Sequence, residues 1–142
     1  MRSDEELAEL FAPVLKEHGV EVPKDKLCEV VALIKERATF VSDFWNIAWY
    51  LFKAPEEYVE KDAAKFWKAE NVEMAREALL NTDSVEAMEE YIRGREWPMG
   101  KVMNCIRLAL TGSSSGLAIA DIMRFVGREE AFVRFRRAEE RL

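Results

Sequence analysis

Met99-Gly100-Lys101-Val102-Met103-Asn104-Cys105-Ile106-Arg107-Leu108-Ala109-Leu110-Thr111-Gly112 is the stretch that decides how this chain folds. Val102, Ile106, Leu108, Ala109 and Leu110 recur at helical spacing, Trp97-Pro98 leads in and Gly112 closes the run, which predicts a core helix over 101–111. A polar loop, Gly112-Ser113-Ser114-Ser115-Gly116, follows, and then helices over 118–125 and 128–142 with Gly127 between them. Upstream, short amphipathic helices are expected over 62–68, 71–80 and 84–93; the first of these carries Phe66 and Trp67. The last has Ser84 as N-cap and Ala87 in place of the Glu of a full capping box. Pro55 breaks the pattern and marks a boundary between two lobes.

Before that boundary, Ser3 caps a helix with Asp4, Glu5 and Glu6 in its first turn and Leu7, Leu10, Phe11, Val14 and Leu15 on its apolar face, ended by Gly19. A second helix follows Pro23 with Leu27, Val30, Val31, Leu33 and Ile34 buried, and carries Lys35-Glu36-Arg37 at its C-terminal end. Residues 43–52 include Phe44, Trp45, Ile47, Trp49, Tyr50, Leu51 and Phe52, apolar almost all round and so expected at the centre of the core. No stretch alternates with period two and no fixed repeat occurs. The expectation is an all-α chain of two small helical lobes, 1–54 and 55–142.

The 142 residues are 49% hydrophobic and 34% charged, a composition that folds, and the length caps the chain at one domain or two small lobes. A net charge of -6 argues against a general DNA coat or a polybasic membrane binder. Cys28 and Cys105 cannot make a disulfide framework, and with no secretory leader evident the expected compartment is the cytoplasm. The aromatic block is interrupted by Asn46 and falls short of the roughly 20 residues a membrane span needs. One histidine, His18, removes most metal sites and every Cys-His or Ser-His catalytic arrangement.

Charge is unevenly placed, with eight basic and five acidic side chains over 98–142 and an acidic excess before it. Arg124, Arg128, Arg134, Arg136, Arg137 and Arg141 crowd the last stretch, and arginine suits planar recognition of phosphates and bases. The plainer alternative is a solvated helix face held by pairs such as Glu130-Arg134. No Gly-Lys-Ser or Gly-Lys-Thr follows the 112–116 loop, so it is no nucleotide-hydrolysing phosphate loop. Pairs such as Glu56-Glu57 and Glu89-Glu90 read as solvated faces, not as acid-base machinery. Residue chemistry alone reaches an all-helical, non-catalytic binding module with its partner open. A helical protein-interaction module, with residues 44–52 as a docking groove, fits it as well.

The run from Met99 to Gly112, continued by Asp121-Ile122 and Val126-Gly127-Arg128-Glu129-Glu130, resembles the C-terminal signature of bacterial glutamyl-tRNA synthetases. That family shows an LGK entry, an LR.ALTG helix end, a variable loop and an LGKE in this order. Lys35-Glu36-Arg37 and Pro55-Glu56-Glu57-Tyr58 resemble further family segments, so the likeness covers nearly the whole chain. It implies the anticodon-binding α-helix cage of a class I aminoacyl-tRNA synthetase without the catalytic body. The nucleotide signatures of that body, His-x-Gly-His and Lys-Met-Ser-Lys-Ser, do not occur here. Cofactors of the chain itself are then none, with ATP and Mg²⁺ belonging to the catalytic body. The implied partners are the tRNA(Glu) anticodon stem-loop and that body; a monomer away from any membrane is expected. By the same resemblance, Arg37 contacts the third anticodon base in the form that rejects glutamine tRNA. Arg107 reads the first base, with Met99 and Ile119 packed near it. Gly116-Leu117 stands where a Thr-Pro or Gly-Pro pair holds the middle base, and Ala120 where an aromatic often follows.

Overall fold

The computed structural model of the chain describes residues 3–37, 40 and 43–142, which divide into two compact units, Met1–Phe52 and Lys53–Leu142. Among the described residues there are nine α-helices and no strand, so the all-α expectation holds.

In the first unit, α1 (Asp4–Glu17) starts where its cap predicts, with the Ser3 hydroxyl accepting the Glu6 amide at 3.2 Å. It ends at Gly19, whose φ of +75° lets the Val20 amide donate back to the Leu15 carbonyl at 2.9 Å. The buried stripe is Ala8, Phe11 and Leu15; Leu10, expected inside, is exposed, and Ala8 is buried instead. That neighbour, α2 (Lys24–Ile34), buries Leu27, Val30, Val31 and Ile34 and tightens into a 3-10 turn at Lys35–Arg37. Lys35 is anchored back to Asp4 at 2.8 Å, which raises its pKa above the ordinary lysine value through that hydrogen bond first and the carboxylate charge second.

The aromatic block does not form one central helix. It splits into α3 (Phe44–Ala48) and a 3-10 turn at Trp49–Leu51, burying Phe44, Ala48, Tyr50 and Leu51 while Trp45, Ile47, Trp49 and Phe52 stay half-buried. A helix apolar on every side needs chain on every side, and a unit of this size has too little to surround it. What it has is used economically. Phe11 meets Phe44 edge-on at 5.4 Å, and His18 lies flat on Trp45 at 3.8 Å and 4°, so the lone histidine covers an indole.

In the second unit, α4 (Glu60–Phe66), α5 (Ala69–Asn81), α6 (Val85–Gly94), α8 (Ile119–Val126) and α9 (Arg128–Arg141) all pack on α7 (Met99–Thr111). α4 begins two residues before the expected start, and Trp67 stands outside it as C-cap, reaching Phe135 at 5.4 Å. α7 hides Val102, Cys105, Ile106, Leu108, Ala109, Leu110 and Thr111, each large apolar side chain worth about 1.5–3 kcal/mol once enclosed. Burial pushes the Cys105 thiol up to about 12, so it is a small core hydrophobe and no nucleophile. The buried Asn71 amide donates to the Phe66 carbonyl at 3.0 Å and closes the end of α4.

α7 stops at Gly112, with φ at +85° and its amide on the Leu108 carbonyl at 2.8 Å. The strap before α4 crosses here: a Cβ at position 112 would lie 2.5 Å from the Glu57 carbonyl oxygen, and the Val59 amide donates to the Gly112 carbonyl at 2.8 Å. Both the backbone angle and the contact demand glycine. Gly112→Ala should therefore destabilise the second unit by about 2–4 kcal/mol, left-handed strain adding to steric overlap. Urea unfolding followed by circular dichroism measures it; a loss below ~0.5 kcal/mol would show that the strap yields.

Candidate functional site

The loop after α7 is tied on both flanks. On one side the Ser114 amide donates to the Asp62 carboxylate at 2.9 Å, a charge-assisted bond from the first turn of α4. On the other, the Arg107 guanidinium reaches across from the last turns of α7. Its Nη1 donates to the Leu117 carbonyl and lies 3.4 Å from that of Gly116. Thr111 adds an inner brace, its hydroxyl 3.0 Å from the Arg107 and Ser113 carbonyls. These bonds leave Ser115 and Gly116 exposed on a loop that is held at both ends.

Residues singled out in the sequence thus fall into groups. Arg107, Gly116 and Leu117 come together through the guanidinium. Leu117 and Ile119 point inward, 1% and 5% exposed, so anything resting on the loop at 116–117 meets backbone and not the leucine side chain. Met99 begins α7 half-buried, two turns and about 12 Å along the axis from Arg107. Ala120 is exposed. Arg37 is exposed at the end of its 3-10 turn in the first unit.

The C-terminal arginines do not form one basic face. Arg134 is 2% exposed, its Nη1 on the Leu110 carbonyl at 3.0 Å and its Nε on Glu130 at 3.1 Å. Burial lowers its pKa from the usual arginine value and Glu130 opposes that shift. The expected Glu130-Arg134 pair forms within α9, but only Glu130 is solvated; Arg134 is buried and braces α9 to α7 through the Leu110 carbonyl. Arg128 donates to the carbonyls of Thr82, Leu79 and Leu80 at 3.0–3.3 Å and closes the C-terminus of α5, where a cation also meets the negative end of the helix dipole. Arg141 bonds the Glu56 carbonyl at 2.9 Å, and Arg124 sits 3.6 Å from Asp121, highly exposed. Arg136 is exposed and Arg137 half-buried. Sequence reasoning missed Asp62, which reads as an ordinary first-turn acid and turns out to hold a loop 52 residues away. Among the described residues no group of three His, Cys, Asp or Glu could hold a metal ion, and no helix is long and apolar enough to cross a membrane.

Comparison with known proteins adds to this geometry. A family model described as an anticodon binding domain matches residues 6–139. The chain is 39% identical over 148 residues to the glutamate–tRNA ligase of Bacteroides fragilis, covering 98% of this chain and 29% of that protein. It is 40% identical over 148 residues to that of Porphyromonas gingivalis, with the same coverage of 98% and 29%. Among solved structures it superposes on a glutamate tRNA ligase from Elizabethkingia meningosepticum, in complex with its amino acid, with a TM-score of 0.86, 35% identity and coverage of 98% of this chain and 29% of that one. The glutamate-tRNA synthetase of Elizabethkingia anophelis gives 0.85, 34%, 99% and 29%. The chain spans less than a third of the length of the curated relatives it matches. The resemblance carried by residues 99–130 is borne out.

Asp62→Ala should cost about 1–2 kcal/mol, since it leaves the Ser114 amide without its carboxylate. Hydrogen exchange at Ser114 should accelerate while amides inside α7 keep their protection; unchanged exchange at Ser114 would mean that Asp62 does not hold the loop.

Proposed function

The chain belongs to the anticodon binding domain family, and from that premise we propose that it recognises the tRNA(Glu) anticodon stem-loop as the non-catalytic C-terminal part of a glutamyl-tRNA synthetase. Both lobes take part, the first through Arg37 and the second through the end of α7 and the loop behind it. The observation that carries the reading is the tether from the Arg107 guanidinium to the carbonyls of Gly116 and Leu117. It holds a planar donor fork in a fixed orientation beside an exposed loop, so little rotamer freedom remains to be lost when a base edge meets it.

Anticodon bases are read unstacked, against guanidinium planes, apolar side chains and backbone groups. Arg107 supplies donors to the first base; contrary to the expected packing, Met99 lies about two turns away along α7 and the Ile119 side chain is buried at the start of α8. The middle base lies over Gly116 and Leu117. With the leucine side chain buried, the backbone there is what it meets. Arg37 offers donors to the acceptor edge of cytosine at the third position and obstructs the larger guanine. The net charge of -6 discourages indiscriminate binding to nucleic acid.

Aminoacylation with ATP and Mg²⁺ belongs to the catalytic body of the parent protein, this chain's second partner. The residues here do not fit that chemistry: the 112–116 loop lacks the lysine of a phosphate loop, and its Ser114 amide is engaged by a carboxylate. No step with ATP is assigned to this chain.

Each arginine's role sets a different expected outcome. Arg107→Ala should cost about 1–3 kcal/mol in hairpin binding and flatten discrimination at the first anticodon base. Arg136→Ala should weaken all hairpins about equally and lower the salt slope by roughly one. Titrations of hairpins differing only in the first base, at two salt concentrations, separate the two; equal losses on every hairpin with Arg107→Ala would reduce that residue to a phosphate contact. For the third base, Arg37→Gln should narrow the gap between glutamate-type and glutamine-type anticodons at fixed salt. An unchanged preference ratio, with the fold intact, would remove Arg37 from that role.

A further inference from the structure

The turn between α6 and α7 holds a planar cluster that the anticodon contacts above do not use. The Arg95 guanidinium lies over the Tyr91 ring at 4.4 Å and 5.4 Å from the centre of the Trp97 ring, and the two rings meet edge to face at 5.8 Å. Arg95 keeps 48% of its side chain exposed, and both rings are half-buried. Three flat groups are thus gathered at the surface, the outermost of them a guanidinium with a solvent-facing side.

The backbone that gathers them is in a disfavoured conformation. Glu96 has φ at +59°, the only positive φ at a non-glycine position among the described residues. The α6 end is closed as glycine closes α1: the Trp97 amide donates to the Ile92 carbonyl at 3.1 Å and the Glu96 amide to that of Arg93 at 3.0 Å. Here the glycine of the segment, Gly94, lies two positions too early to occupy the left-handed place. The turn therefore carries strain in order to fold Trp97 back toward Tyr91 and Arg95, and strain of this kind tends to persist where the surface it shapes is used.

We propose that the Tyr91-Arg95-Trp97 cluster is a stacking site for an RNA base, taking a loop nucleotide outside the three anticodon bases of the hairpin. The inference rests on the tRNA-binding reading above. The ligand follows from charge as well as shape. Arg95 Nη1 is 3.7 Å from the Glu77 carboxylate, so an acidic group already stands at the edge of the guanidinium where a phosphate would approach, and its plane is what it has left to offer. Such a plane suits the face of a base better than a phosphate. The cluster runs through Pro98 directly into Met99 at the head of α7, the same helix that carries Arg107 about 12 Å along its axis from Met99.

The test uses the whole chain and the tRNA(Glu) anticodon hairpin. Arg95→Ala should weaken binding roughly tenfold, with unchanged salt slope and unchanged melting temperature, and Arg95→Lys should not restore it because an ammonium has no plane. Removing the base from each loop nucleotide in turn should identify one outside the anticodon whose loss weakens the unaltered protein by the same factor and leaves Arg95→Ala unaffected. Four results overturn the proposal. Arg95→Ala binding as tightly as the unaltered chain, while Arg107→Ala loses first-base discrimination, removes the stacking site and leaves anticodon reading standing. A salt slope reduced by about one in Arg95→Ala makes the residue a phosphate contact. Tolerance of base removal at every loop position outside the anticodon refutes it without recourse to any variant. No binding of the hairpin by the unaltered chain defeats both this inference and the reading it rests on.

Discussion

Glycine at position 112 permits the one close backbone approach on which the second unit depends. With no Cβ there, the strap carrying Glu57 comes down on the end of α7, and the Val59 amide finds the carbonyl that α7 leaves over. That contact aligns α4 beside α7, which puts Asp62 within reach of Ser114, and the loop behind α7 is then held from one side. Arg107 holds it from the other. A helix end, a strap and a loop are held together by hydrogen bonds to backbone, among which the Arg107 guanidinium supplies the longest reach.

Arginine serves different ends along the C-terminal stretch, and its chemistry explains the division. A guanidinium carries five donors in a plane, so it closes carbonyls wherever the chain leaves them open. Arg128 does this for the end of α5, Arg141 for Glu56 and Arg134 for Leu110 inside the unit. The charge of Arg134 is costly to bury and is tolerated because Glu130 and a carbonyl accompany it. Half the six arginines of that stretch thus stabilise the fold, and the basic excess over 98–142 overstates the charge left for a nucleic acid.

The first unit shows a related economy with aromatic surface. Residues 44–52 carry more apolar area than three short helical segments can enclose, so the block breaks into two turns and leaves part of each tryptophan at the surface. The His18 and Phe52 rings then lie nearly parallel to that of Trp45, and flat groups cover what the core does not. In the second unit Arg95 plays the corresponding part over Tyr91 and Trp97. In both places the polar plane belongs to a residue just past a helix end, where the chain already turns.

The sequence by itself determined the family, the all-helical class and most of the helices with their caps, the aromatic block 43–52 being the exception. Ser3, Gly19, Ser84 and Gly112 act within a few residues of themselves, apolar spacing acts within a turn, and a motif run such as 99–112 is local by construction. Anticodon binding as the business of the family was legible in those motifs, and the comparisons agree with it. Tertiary structure decided which polar groups distant in the chain meet. The partners of Asp62, Arg107, Arg128 and Arg134 depend on where other helices come to lie, and Leu10 or Trp45 stays partly in water because its unit lacks the chain to cover it. The left-handed Glu96 is the same lesson at its smallest scale. Gly94 lies two positions before it, and the packing of Trp97 and Arg95 against Tyr91 accompanies a turn at the glutamate instead. Local rules act over one or two turns of chain, whereas desolvation and charge pairing are settled by neighbours in space, which a linear order does not name.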